Sequence, residues 1–220
     1  MIEKDSCFTE EMIAELRKTV SAELSPKRFS HVAAVEEMVV QLAKLYCPEQ
    51  TATLRVAALL HDITKEWKTE EHVAFCQTHG IRLTKQDRVA YKTLHARTAA
   101  VLIPERYPQC NDPEVISAVR WHTTGHAGMT LTEKLLYLAD YIDLSRTFQD
   151  CVTLRNFFFD ADPENLTASE RETLLRETLI RSFDMTISAL IGDGQPIAED
   201  TVKARNELVL DQIAKEGEKA

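Results

Sequence analysis

Apolar side chains return every three or four residues along most of this chain, which is the spacing of helices that bury one face. No stretch alternates convincingly with the period of two that is typical of a strand. Capping residues and Gly or Pro positions help to delimit the helical patterns. They predict helices over about residues 9–24, 29–47, 52–63, 69–79, 91–103, 113–122, 132–143, 167–190 and 200–215. The sequence therefore predicts an all-α fold.

One of these helices is apolar nearly all round. Residues 52–63 read ATLRVAALLHDI, a composition typical of a helix at the centre of a bundle. We expect a single domain over residues 1–220, with a core over about 25–150 wrapped by helices 9–24 and 167–215. The segment 156–166, with FFFDADPEN at its centre, is predicted to break the helical pattern.

Charge and cysteine content narrow the function classes. The 220 residues carry a net charge of −9 and no stripe of Lys or Arg, so neither nucleic acid nor an anionic membrane is an expected partner. The five cysteines form no C-x-x-C pair, which indicates reduced thiols and no thiolate zinc site. Residues Met1–Asp5 contain no apolar signal core. These features predict a cytoplasmic protein.

Histidine and aspartate recur in helical contexts, and six of them are candidate metal ligands: His31, His61, Asp62, His95, His122 and Asp140. Burying a charged Asp62 at the end of an apolar helix is costly unless a cation compensates. Imidazole and carboxylate together suit iron, manganese, cobalt or zinc. With its two oxygens, Asp62 is the natural bridge between two ions about 3.5–4 Å apart. The alternative for each histidine is an ordinary core or surface position; His72 and His79 are predicted to face solvent.

The order H…HD…D and several longer strings resemble the YqeK-type HD-domain phosphohydrolases over roughly residues 28–210. The strings are RFSHVAAVEE, AALLHDITKEW, LHARTAA, RWHTTGHAGMTLTEKLLYLADYIDLSR and IAEDTVKARN. Members of that family are symmetrical bis(5′-nucleosyl)-tetraphosphatases, which split diadenosine tetraphosphate into two ADP. The resemblance implies an HD-domain helical bundle with additional N- and C-terminal helices. It also implies a dinucleoside polyphosphate substrate, and it is compatible with a homodimer.

The same resemblance implies two divalent or mixed-valence metal ions, with iron expected and manganese, cobalt or zinc as alternatives. His31, His61, Asp62 and Asp140 would hold one ion, while Asp62, His95 and His122 would hold the other. A hydroxide bridging the two ions would attack the phosphate. The chain departs from the family pattern at His126, where Arg is usual, and at Asp143-Leu144, where Glu-Pro is usual.

Other residues near these ligands are candidates for binding phosphate. Asp62 and Lys65 are the catalytic candidates, since Lys65 lies one helical turn after Asp62 and can reach a phosphate near the metals. The substrate-binding candidates are Lys65, Thr123, Thr124, His126 and Arg146. Two other functions stay open: another HD-type activity, such as a nucleotidase or phosphodiesterase on a different nucleotide, and a non-catalytic nucleotide sensor.

Overall fold

The protein is described by a computed structural model that covers residues 8–217. Residues 1–7 lie outside this range, including Cys7 and the segment on which the cytoplasmic prediction partly rests. The α-helices are α1 Glu10–Glu23, α2 Pro26–Tyr46, α3 Thr51–Leu60, α4 Thr69–Thr78, α5 Lys85–Val89, α6 Leu94–Arg106, α7 Pro113–Trp121, α8 Leu131–Ile142, α9 Gln149–Phe159, α10 Ala168–Gly192 and α11 Glu199–Gly217. Between residues 8 and 217 there is no strand, so the all-α prediction is confirmed.

Two helix starts differ from the predicted ones because of capping residues. Helix α2 begins at Pro26, with Ser25 as its N-cap, because a proline in the first turn has no N–H to satisfy and starts a helix rather than stopping it. Helix α8 begins at Leu131, one residue before the predicted start, and Thr130 is its N-cap. The Thr130 hydroxyl accepts from the Glu133 N–H, and the Glu133 carboxylate accepts from the Thr130 N–H at 2.7 Å.

The predicted break over residues 156–166 is wrong for its first part. Helix α9 continues through the three consecutive phenylalanines to Phe159. Phe158 is completely buried, and Leu154 is buried one turn earlier on the same face. Burial in the core outweighs the modest helix propensity of the aromatic residues. The chain turns only after Phe159, where Asp162 adopts a positive φ of 54°.

Helix α3 lies at the centre of the bundle, as its nearly continuous apolar surface predicts. It packs against α1, α2, α7 and α8, and residues 56–60 are all buried. Helices α10 and α11 pack against each other, and α10 also contacts α8 and α9. None of the helices between residues 8 and 217 is both long and apolar enough to span a membrane.

A buried carboxylate ties three helices together beside this core. Glu36 of α2 is 1% exposed, and its oxygens lie 2.7 Å from Arg17 Nη2 of α1 and 3.0 Å from Arg55 Nε of α3. A buried charge is tolerated when it is paired in this way. This ion-pair group is not part of the histidine and aspartate cluster described next.

Candidate metal and phosphate site

The six candidate ligands meet at one place because helix ends converge there. His61 directly follows α3 and is followed by Asp62, and His122 directly follows α7. His95 lies in the first turn of α6, whereas His31 and Asp140 lie within α2 and α8. The His31 Nε2–Asp140 Oδ1 distance is 3.0 Å and the His95 Nε2–Asp62 Oδ1 distance is 3.2 Å. Residues far apart in the sequence therefore form one compact cluster.

Three of the histidines share one orientation. The Nδ1 atoms of His61, His95 and His122 lie 2.6, 2.7 and 2.7 Å from the backbone carbonyl oxygen three residues earlier. Because a carbonyl oxygen can only accept, each Nδ1 carries the proton and donates it. In the neutral ring the lone pair is then on Nε2, which points into the cluster. Such backbone hydrogen bonds are how metal-binding imidazoles are commonly oriented.

His31 is oriented by side chains instead. Its Nδ1 lies 3.1 Å from Ser145 Oγ and 3.5 Å from an oxygen of the completely buried Asp143. Burial lowers the pKa of His31, but hydrogen bonds to Asp140 and Asp143 raise it more, to about 9. In the sequence, Asp143 stands out only as a departure from the family pattern. In the structure it contacts Nδ1 of His31 and so helps to orient the ring whose Nε2 faces the cluster.

The cluster fits divalent cations. His31, His61 and Asp140 form one group of ligand atoms within 4.8 Å of one another, and His61, Asp62 and His122 form a second. The His61 Nε2 and Asp62 Oδ1 atoms are buried without a hydrogen-bond partner, which is costly unless a cation satisfies them. Nitrogen and carboxylate donors suit first-row transition metals. His61 belongs to both groups, whereas the resemblance assigns it to one ion.

The protonation states of Asp62, Asp140 and His61 also suit metal binding. Burial raises the pKa of Asp62, but His61 and Lys65 lower it more, to well below 3.8. For Asp140, burial is likewise outweighed, chiefly by Arg146, so its pKa also lies well below 3.8. Burial lowers the pKa of His61 to about 4. At neutral pH these carboxylates are therefore ionised and His61 is neutral, which are the forms that bind metal.

Cationic side chains surround the carboxylates. Lys65 Nζ is 3.0 Å from His95 Nε2 and 3.8 Å from Asp62 Oδ1. The Arg146 guanidinium is engaged by Asp140, at 2.5 Å from Oδ1 and 2.6 Å from the backbone oxygen. The sequence analysis expects this guanidinium to bind phosphate; in the structure it also positions Asp140.

Sequence reasoning missed Arg28. Its Nη1 donates to Asp62 Oδ2 at 2.7 Å. Arg28 lies three residues before His31 on α2, and residues three apart share a helix face. That spacing is the signal in the sequence that could have identified it.

A cavity of about 410 Å³ opens on the cluster. Its polar wall is formed by Lys65, His122, Thr123, Asp140 and Arg146. Thr123 Oγ1 lies 3.0 Å from Nε2 of both His95 and His122. The structure therefore brings Lys65, Thr123 and Arg146 together with the candidate metal ligands.

Thr124 and His126 lie elsewhere. Thr124 lines a second, smaller cavity, and its carbonyl accepts from Thr201 Oγ1 at 2.9 Å. His126 Nε2 is 3.1 Å from a carboxylate oxygen of Glu133. Gly125, between them, has φ +61°, and a Cβ there would lie 2.7 Å from the Phe183 ring. A side chain at Gly125 would be strained in this left-handed conformation and would clash with Phe183, and neither Thr124 nor His126 lines the larger cavity.

The prediction that His72 faces solvent is wrong. The side chain is buried, and Nδ1 lies 2.9 Å from Thr98 Oγ1, which is 2.9 Å from Thr64 Oγ1. This chain of contacts supports the turn that follows Asp62. His79 is half-buried and stacks on Phe75, with ring centroids 3.9 Å apart. Both histidines have polar neighbours in the sequence, which favours exposure. Their contacts in the structure arise from the tertiary packing, so the sequence pattern does not predict them.

Comparisons with known proteins identify the family of this chain. The model of the HD domain matches residues 28–145. The symmetrical bis(5′-nucleosyl)-tetraphosphatase of Halalkalibacterium halodurans is 32% identical over 195 residues, covering 88% of this chain and 95% of that protein. The Bacillus subtilis protein of the same name is 29% identical, covering 86% and 94%. A crystal structure from Clostridium acetobutylicum, described as a "predicted HD superfamily hydrolase involved in NAD metabolism", has a TM-score of 0.77 at 31% identity and covers 90% and 97%.

Proposed function

This chain belongs to the HD-domain family, and on that premise we propose that it is a metal-dependent hydrolase of dinucleoside polyphosphates. It cleaves diadenosine tetraphosphate symmetrically into two ADP, within a single HD-type domain. The observation that carries the proposal is the convergence of imidazole Nε2 atoms and ionised carboxylates on one cavity. Relatives named for this activity cover most of the chain, which supports the choice of substrate.

The proposed metal ligands are the six clustered residues His31, His61, Asp62, His95, His122 and Asp140. They would hold two divalent or mixed-valence ions, for which we propose iron, with manganese, cobalt or zinc as alternatives. When bound, such ions lower the pKa of a water molecule and offset negative charge on a phosphoryl group.

The side chains around the ligands position the tetraphosphate. In symmetrical hydrolysis the water oxygen forms a bond to one of the two inner phosphorus atoms, and the P–O bond to the central bridging oxygen breaks. That oxygen leaves with one ADP, and the water proton is released to solvent. Lys65 and Arg146 line the cavity and Arg28 lies on Asp62, so cationic groups offset the phosphate charge. Thr123 Oγ1 can donate to a phosphate oxygen, whereas Thr124 and His126 have no part in this proposal.

Another HD-type activity, a nucleotidase or phosphodiesterase, is the alternative that shares the same cluster. A non-catalytic sensor is disfavoured because all six ligand positions are occupied by residues that can bind metal.

The test is hydrolysis of diadenosine tetraphosphate by anaerobically purified protein whose bound metals are quantified in the same sample. About two metals per chain and ADP as the sole nucleotide product are expected. AMP plus ATP would contradict symmetrical cleavage, and bound metal without turnover would favour the alternative activity. No metal uptake, even after addition of iron or manganese, would overturn the metal centre.

A further inference from the structure

The cavity over the cluster is lined by chemically different groups. Besides the residues of the polar wall, it is lined by three aromatic rings, a carboxylate, a thiol and a hydroxyl group; these belong to Tyr137, Tyr141, Phe148, Asp150, Cys151 and Thr186. The volume of about 410 Å³ is within the range of small-molecule sites. Its cations and aromatic rings suit a ligand that combines an anionic part with a flat apolar part.

Phe148 offers the most accessible aromatic surface among the residues that line the cavity. It is 72% exposed, whereas Tyr137 is 4% exposed and already stacks on Phe183 with ring centroids 4.6 Å apart. An exposed phenylalanine ring forgoes the favourable free energy of burying its apolar surface. A planar ligand that covers the ring recovers part of that energy, and nucleobases stack well on such a surface.

The backbone that carries Phe148 is held in place before any ligand binds. Arg155 of α9 donates to the carbonyl oxygens of Ile142 and Arg146, each at 2.7 Å, and to that of Asp143. Phe148 itself precedes α9, and its carbonyl accepts from the Val152 N–H at 3.0 Å. The residues around the 143–148 loop are thus fastened at several points. A platform that is already ordered loses less entropy on binding.

We propose that Phe148 is a stacking platform for one nucleobase of the substrate. The diphosphate attached to that base lies toward Lys65 and Arg146, so the cavity holds one nucleoside diphosphate half of the molecule. This inference rests on the proposed function, since it takes the ligand to be a nucleotide. Stacking involves the flat π-face of a base, which every base has, and not its hydrogen-bonding edge. Phe148 therefore contributes affinity without selecting among bases.

The test compares two ligands that differ in the nucleoside. ADP and inorganic pyrophosphate both present a diphosphate, but only ADP can stack on Phe148. Their dissociation constants are measured by calorimetry on manganese-loaded protein. For Phe148→Ala we expect ADP to bind about 5- to 150-fold more weakly, the equivalent of ~1–3 kcal/mol, with pyrophosphate unchanged within about twofold. Phe148→Trp should restore ADP binding.

Ile191→Ala is the matched control, because Ile191 is 65% exposed but does not line the cavity. It should change neither constant. Equal weakening of both ligands by Phe148→Ala, or no weakening of either, would overturn the platform, as would wild-type protein that binds ADP no better than pyrophosphate. Because the measurement needs no turnover, it is separable from the proposed function. If the protein binds ADP through Phe148 but does not cleave diadenosine tetraphosphate, the proposed stacking role stands and the proposed hydrolase activity fails.

Discussion

Replacement of Asp62 by Asn tests the metal centre most directly. The Asp62 carboxylate is buried, with Oδ2 2.7 Å from Arg28 Nη1 and Oδ1 3.2 Å from His95 Nε2. Asn has nearly the same shape and can still accept from Arg28. It has lost the charge, however, and one of its two potential ligand atoms is an amide nitrogen that cannot coordinate a metal. Asp62→Asn should therefore remain folded and lose metal affinity.

The size of the effect follows from mass action. A metal that binds only the folded protein at 100 times its dissociation constant stabilises it by about 2.7 kcal/mol. In a protein of 220 residues, each kcal/mol raises Tm by roughly 2–4 °C. Wild-type protein should therefore gain about 5–11 °C when manganese is added. Asp62→Asn should gain no more than about half as much at the same concentration, since a tenfold loss of affinity already removes ~1.4 of the 2.7 kcal/mol.

The assay is thermal unfolding of chelator-treated protein, followed by circular dichroism with and without manganese. Glu36→Gln is the matched control, because it also neutralises a buried carboxylate, but one that pairs with Arg17 and Arg55 outside the cluster. It should lower the metal-free Tm and leave the metal-dependent gain intact. A full metal-dependent gain in Asp62→Asn, or loss of that gain in Glu36→Gln, would refute the reasoning.

Three further predictions concern the cluster and its surroundings. Lys65→Met should lower kcat about 10²- to 10³-fold with unchanged metal content by elemental analysis; unchanged turnover would exclude Lys65 from charge stabilisation. Arg155→Ala, which frees three loop carbonyls, should raise KM for diadenosine tetraphosphate more than it lowers kcat; an unaltered KM would show that the loop needs no such support. Metal-free protein should be most stable near pH 6.5, as measured by Tm against pH in chelator. Burial lowers the folded pKa of His61 to about 4, so the contribution of His61 to folding stability is lost as pH falls from 6.5 toward 4. Burial lowers the folded pKa of His31, but Asp140 and Asp143 raise it more, to about 9. The contribution of His31 to folding stability is therefore lost as pH rises from 6.5 toward 9. A Tm independent of pH over both windows would contradict these shifts.

The apolar pattern predicted most helices correctly because a helix that buries one face must repeat its apolar residues with the helical period. Helix α3 is the clearest case, since its all-round apolarity indicated the central position that it occupies. The pattern missed α9, Gln149–Phe159, where no helix was predicted and where the last residues were expected to break the helical pattern; the burial of Leu154 and Phe158 stabilises this helix. Periodicity also identified residues whose charge would be costly in an apolar setting, as for Asp62 and Asp140. The structure brings these together with the four candidate histidines.

What only the tertiary structure decided is the direction of side chains at the helix ends. Thr123 and Thr124 are adjacent and chemically alike, yet they line different cavities, because consecutive side chains in the turn after α7 point in different directions. Arg28 reaches Asp62, and His72 is buried against Thr98, through contacts between separate helices. A sequence pattern determines which residues are apolar, polar or able to bind metal. It does not determine what each one faces, because that depends on backbone torsions at the turns and on how the helices pack.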